Sequence, residues 1–127
     1  MAELVSEIMD RDPVTVSPET SVQDVVAALR ENELPGVPVV ESDGTVVGIV
    51  TERDLVRSLG AGEDPDSELV GDHLTSRATF ADGDWGLEDA ADAMARGGFR
   101  HLVVVSNGEV EGIISMRDIM HVWRPQS

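Results

Sequence analysis

Two short segments of the 127-residue chain carry the residue types that chemistry needs. They read Gly48, Ile49, Val50, Thr51, Glu52, Arg53, Asp54 and Gly112, Ile113, Ile114, Ser115, Met116, Arg117, Asp118. Each runs from an aliphatic pair into a hydroxyl, then an arginine, then an aspartate three residues after the hydroxyl. A hydroxyl and an acid at that spacing commonly begin a helix, the hydroxyl accepting from the third helical amide while the acid reaches back. The same set also suits a nucleotide. A helix N-terminus offers amides and partial positive charge to a phosphate. An arginine at the second helical position has no dipole reason to be there, and its planar fork matches phosphate. A carboxylate can accept from two ribose hydroxyls. Capping explains one copy well; an arginine kept in both copies favours the nucleotide.

These segments hold equivalent places in a duplicated chain. Val22, Val25, Val26 and Leu29 recur 65 residues on as Leu87, Ala90, Ala91 and Met94, whereas Asp54 recurs 64 residues on as Asp118, so one residue is lost between them. Both apolar sets have the i, i+3, i+4, i+7 spacing of a helix with one buried face. Thr20, with Gln23 three residues later, predicts that the first helix starts near residue 20. Runs at 37–40 and 46–50 flank Ser42, Asp43 and Gly44, and runs at 102–105 and 110–114 flank Asn107 and Gly108, which predicts two hairpins. Final helices are expected from Thr51 to about Leu59 and from Ser115 to about Trp123, and short strands at 14–16 and 79–81 complete a β-α-β-β-α unit in each half. Turn-rich composition around residues 60–67 marks a linker. The expected division is therefore repeat 1 over 1–60, linker 61–68 and repeat 2 over 69–127. One repeat alone would be marginal. The expected fold class is α/β (α+β), with two pseudo-symmetric repeats packed through their sheets.

Composition narrows the function. All 9 basic residues are arginine, against 25 acids, for a net charge of −16. That charge repels phosphate polymers, and Phe80, Trp85, Phe99 and Trp123 are the only aromatics that could stack on bases, so no nucleic-acid partner is expected. An anionic membrane surface is disfavoured for the same reason. With no cysteine there is no disulfide or thiolate chemistry. Aliphatic runs of about five residues fall short of the ~20 that span a bilayer. The acidic start lacks the features of a signal peptide, and a cytoplasmic location is expected. The acidity fits a high-salt interior or a GC-rich coding bias equally. Ser115, Asp118 and either His101 or His121 could be assembled into a triad, but no nucleophile elbow surrounds the serine, so no enzyme is expected. His73 and His121 read as packed or half-exposed helix residues, and no metal site is expected from histidine spacing. Met94, Met116, Met120, Phe99 and Trp123 fall on apolar helix positions or ends that suit core or dimer packing.

The tandem pattern, the Gly-h-h-Thr/Ser-x-Arg-Asp motif in both copies, and the Leu34, Pro35, Gly36, Val37, Pro38, Val39, Val40 entry to the second strand resemble a pair of cystathionine-β-synthase (CBS) domains, the Bateman module, over residues 4–123. The resemblance implies a non-catalytic regulatory module, of the kind used in energy sensing, with no obligatory cofactor. It implies clefts between the repeats for an adenosine-containing ligand, AMP, ADP or ATP foremost, with S-adenosylmethionine and NAD as alternatives. It also implies a homodimer and an unidentified regulated protein partner. By the same resemblance Asp54 and Asp118 hold ribose hydroxyls. Thr51 and Ser115 with Arg53 and Arg117 meet the ribose-phosphate end, and backbone at Thr15 and Val16, or at Thr79 and Phe80, meets adenine. The copies differ, for Arg100 and His101 stand where the first half has Pro35 and Gly36. Two adjacent basic groups lead to the expectation that the second cleft takes the more anionic ligand; the alternative is a surface arginine paired with one of the many acids. Asp82 and Asp84 add negative charge that disfavours a triphosphate relative to AMP. A ligand-free interaction dimer with vestigial clefts is the competing expectation.

Overall fold

The computed structural model describes residues 3–75 and 79–123, so residues 1–2, 76–78 and 124–127 of the expected repeats lie outside the description. In chain order α1 spans Val5–Ile8, α2 Val22–Asn32, β1 Gly36–Val40, β2 Val46–Thr51 and α3 Glu52–Gly60. A 3-10 turn follows at Val70–Asp72, then β3 Phe80–Ala81, α4 Leu87–Gly97, β4 His101–Ser106, β5 Glu109–Ser115 and α5 Met116–Val122. Among the described residues this is a mixed α/β chain of two small sheets and five α-helices, as the patterning predicts. No helix among them is long and apolar enough to cross a membrane.

The chain packs as two compact units, one of Val14–Ala78, the other of Met1–Pro13 with Thr79–Ser127. In the first, the apolar face of α2 brings Val22, Val25 and Leu29 against Val37, Val39, Val50, Leu55 and Val70, all buried. Burial of each such side chain contributes about 1.5–3 kcal/mol. The helix begins at Val22, its cap one residue past Thr20. Ser21 is the N-cap, its Oγ accepting from the Asp24 amide at 3.1 Å. Thr20 is committed elsewhere: its hydroxyl accepts from the Ser17 amide at 3.1 Å and its carbonyl from the Val70 amide at 2.8 Å. β1 and β2 pair antiparallel, and Val16 adds a parallel bridge to Val39 on the other edge of β1. The predicted strand at 14–16 is thus reduced to one bridged residue.

The second unit repeats this plan with its own core, in which Leu87, Ala90 and Met94 of α4 are buried with Ala81, Leu102, Val104, Ile114 and Ile119. Its sheet runs β3-β4-β5, with β3 parallel to β4 and β4 antiparallel to β5. The duplication is visible in the registers. Val16↔Val39 and Ala81↔Val104 are equivalent pairs, as are Gly36↔Thr51 and His101↔Ser115, and both hairpins carry an irregularity at the same place, Val39/Val40 and Val104/Val105. The lost residue falls in the hairpin turn. Val40 pairs with Val46 in the first hairpin, but Val105 pairs with Val110 in the second, where Asn107 and Gly108 take positive φ of 52° and 81°.

The N-terminal segment packs on the second repeat, not on the first. Val5 and Ser6 amides donate to the Trp85 and Gly83 carbonyls at 2.8 and 3.0 Å, and Asp10 exchanges two backbone hydrogen bonds with Ile113. This close approach explains Gly112, where an added Cβ would collide with the Asp10 carbonyl and the Met9 thioether. At the equivalent Gly48 an added Cβ meets only the flexible Leu74 side chain, at 3.2 Å. Gly112→Ala should therefore cost about 1–3 kcal/mol in a denaturant titration, and Gly48→Ala clearly less.

Candidate functional site

Each motif lies where the last strand of its repeat turns into the following helix, and the local hydrogen bonding decides what it can offer a ligand. Thr51 and Ser115 leave β2 and β5 in extended conformation and cap α3 and α5. Ser115 Oγ accepts from the Asp118 amide at 3.0 Å, and Asp118 Oδ2 accepts from the Ser115 amide at 2.9 Å. Thr51 Oγ1 accepts from the Asp54 amide at 3.4 Å. Asp54 Oδ2 accepts from the Thr51 amide at 2.8 Å, the Thr51 hydroxyl at 2.9 Å and the Thr75 hydroxyl at 2.6 Å. Both capping boxes foreseen from the spacing are therefore formed. The first helical amides are also used, Glu52 donating to the Pro35 carbonyl at 2.9 Å and Met116 to the Arg100 carbonyl at 2.8 Å. Of the first three amides in each helix, only those of Arg53 and Arg117 fall outside these bonds. The phosphate cradle expected at each helix start thus narrows to one amide per helix.

The two junctions are chemically unequal. Asp10 takes the place of Thr75 in the second repeat, its amide donating to the Ile113 carbonyl as that of Thr75 does to Ile49, but it brings no hydroxyl, and among the described residues Asp118 Oδ2 accepts one hydrogen bond where Asp54 Oδ2 accepts three. Gly36 and His101 stand opposite Thr51 and Ser115 in the sheet registers. At Gly36 a side chain would meet the Val50 carbonyl at 2.9 Å, so that corner is closed to any residue but glycine. At the second corner the His101 imidazole takes this place, half-buried beside the Asp118 charge. Burial pushes its pKa below the ordinary 6.5, the Asp118 charge opposing and Arg100 reinforcing that shift. His101 is therefore a neutral imidazole at neutral pH rather than the second positive group the sequence suggests. Its Nδ1 is buried with no hydrogen-bond partner among the described residues.

Arg53, Arg100 and Arg117 are exposed, and none has an ion-pair partner among the described residues. In a chain with 25 acids this removes the simplest alternative for Arg100, that it is tied to a neighbouring carboxylate. The remaining expected residues lie across the sheets. Val16 and Phe80 sit on strands separated from Thr51 and Ser115 by β1 and β4, with Thr15 and Thr79 exposed beside them. Thr75 was invisible to motif reading because its hydroxyl meets an acid 21 residues earlier. His73 is not packed on a helix face: it closes the 3-10 turn, with Nε2 2.8 Å from Glu68 Oε1.

A tandem α/β repeat with a hydroxyl–acid junction in each half defines a class, and the sequence comparison names it. Residues 5–61 and 70–124 each match the CBS domain, and the chain belongs to that family as a tandem pair. A 17.7 kDa protein of Acidianus ambivalens is 36% identical over 120 residues, which cover 94% of this chain and 72% of that protein. The crystal structure of CBSX2 in complex with AMP is similar at 29% identity and a TM-score of 0.81, over 94% of this chain and 95% of that one. The CBS domain pair of MJ0100, in complex with 5′-methylthioadenosine and S-adenosyl-L-methionine, shares the fold at 23% identity and a TM-score of 0.79, over 94% of each chain.

Two measurements check the inequality of the junctions. Asp54→Ala, which strands a threonine hydroxyl as well as a cap, should cost about 2–3 kcal/mol in chemical denaturation, and Asp118→Ala about 1 kcal/mol. With its pKa lowered in the folded state, His101 stabilises the protein fully above about pH 6.5, and that contribution is lost as pH falls through the folded value. His101→Gln should flatten the stability profile in this window.

Proposed function

We propose that this CBS pair is a regulatory module for an adenosine-containing ligand, AMP foremost, and that the Ser115–Asp118 junction is its stronger binding point. The observation that carries this reading is the Asp118 carboxylate, lightly used by the protein and set beside His101 with Arg117 and Arg100 nearby in sequence, neither arginine ion-paired among the described residues. In this reading Asp54 and Asp118 accept from ribose hydroxyls. Thr51, Arg53, Ser115 and Arg117 meet the ribose-phosphate end, Arg100 adds charge for the phosphate, and His101 offers a neutral ring nitrogen. Backbone near Thr15, Val16, Thr79 and Phe80 meets the adenine. Asp82 and Asp84, both exposed, weigh against ADP and ATP by like-charge repulsion. S-adenosylmethionine and NAD share the ribose and remain within the class. The AMP-bound relative supports the choice of ligand.

The module acts as a homodimer in the cytoplasm and passes its signal to another chain. Val56 and Leu59 on α3 and Met120 and Trp123 at the end of α5 stand at equivalent positions of the two repeats and are exposed at 66%, 45%, 69% and 40%. Large apolar side chains repeated on two equivalent helix faces suit a symmetric partner. Output requires that the ligand bind two states of the module differently. No catalytic step is proposed. The second reading, a ligand-free interaction dimer, is favoured by one observation: each acid is already engaged in a capping box.

Thermal unfolding with AMP, ADP, ATP, NAD and S-adenosylmethionine separates the two. AMP at a hundredfold excess over its dissociation constant should stabilise the protein by about 2.7 kcal/mol. No shift with any of the five at millimolar concentration would support the interaction dimer instead. Asp118→Ala should lose at least about tenfold more affinity than Asp54→Ala, equal losses contradicting the ranking. Val56→Glu combined with Met120→Glu should yield monomers in sedimentation velocity.

A further inference from the structure

Outside both junctions, one group of side chains converges in the first unit. His73 Nε2 lies 2.8 Å from Glu68 Oε1 and 3.7 Å from Glu63 Oε1, and the three donor atoms all fall within 4.8 Å of one another. One imidazole N–H can serve one carboxylate. The 3.7 Å approach of Glu63 is too long for a hydrogen bond, so a second negative charge is held close to the first without a proton of its own. A cation between the three resolves that arrangement. Donors of a tetrahedral site with bonds of about 2.0–2.2 Å stand about 3.3–3.6 Å apart, and the two measured separations of 2.8 and 3.7 Å bracket this range.

The backbone holds these donors in place. The Glu68 carbonyl accepts from the Val22 amide at 2.8 Å, the Pro65 carbonyl from the Gln23 amide at 2.9 Å, and the His73 amide donates to Val70 at 2.9 Å. The Glu63 amide donates to the Ser58 carbonyl at 3.3 Å, at the end of α3. The side chains of His73, Glu63 and Glu68 are only 15%, 34% and 27% exposed. From residue 60 to residue 75 there is no arginine, while Asp64, Asp66 and Asp72 add to the two glutamates, so the local field favours a cation.

We propose that Glu63, Glu68 and His73 form a binding site for a divalent transition cation of the zinc type, with water completing its coordination. An imidazole among the donors favours such ions over magnesium or calcium, which prefer oxygen alone. The site lies on the segment that joins the two repeats and fastens it to the end of α3, independently of any nucleotide.

Chelator-stripped, untagged protein titrated with zinc chloride in a calorimeter provides the test. The expected result is one zinc per chain and a raised unfolding midpoint, with no saturation by magnesium at the same concentrations. His73→Gln and Glu68→Gln should each weaken zinc at least about tenfold while leaving the response to AMP unchanged. Glu63→Gln, at the most exposed donor, serves if the others fail to fold. Absence of stoichiometric zinc binding at micromolar free zinc would overturn the proposal. So would an affinity that none of the folded variants changes.

Discussion

An aspartate at the third position of a helix, bonded back to the residue that ends the preceding strand, fixes the corner on which each half of this protein turns. The bond orients the cap residue, starts the helix and sets which carboxylate oxygen faces outward. It also limits function, because a carboxylate lone pair used by the protein is lost to a ligand. Asp54 devotes one oxygen to three donors, among them the distant Thr75 hydroxyl. Asp118 makes the minimum bond that keeps the corner. One duplicated motif therefore yields a tightly tied junction and a looser one.

The rest of the asymmetry follows from what stands across the strand. Gly36 lets the first corner close, whereas His101 fills the second with an imidazole that burial keeps neutral. The net charge of −16 argues against phosphate polymers, yet at short range a small anion meets arginines with no ion-pair partner among the described residues. Screening at moderate salt confines distant repulsion to about 10 Å, so the charges at the junction itself outweigh those spread over the rest of the surface. Affinity for a nucleotide should thus depend on a few local charges and little on the acidic surface.

Both hairpins and both capping boxes were legible because each rests on residues within a few positions of one another, and the duplication because those local patterns recur at a nearly constant offset. The cap of α2 falls one residue past Thr20. Thr20 and Ser21 are both competent caps, and the bonds from the Ser17 amide to the Thr20 hydroxyl and from the Val70 amide to its carbonyl leave Ser21 to cap the helix. The docking of residues 4–10 onto the second repeat left its trace in Gly112, which reads as part of a motif until the Asp10 carbonyl is seen beneath it. Thr75 and the Glu63, Glu68 and His73 cluster escaped for a related reason. They join segments separated by a turn or a helix, and no local pattern encodes which linker acid will face which histidine.

The central claim is that the strand-to-helix junctions are binding points of unequal strength. Backbone amide spectra recorded during an AMP titration test it most directly. The account predicts that the amides of His101, Ser115, Arg117 and Asp118 shift first, and those of Thr51, Arg53 and Asp54 only at higher concentration. Saturating AMP that leaves both junctions unmoved, or that moves Asp54 before Asp118, would contradict it.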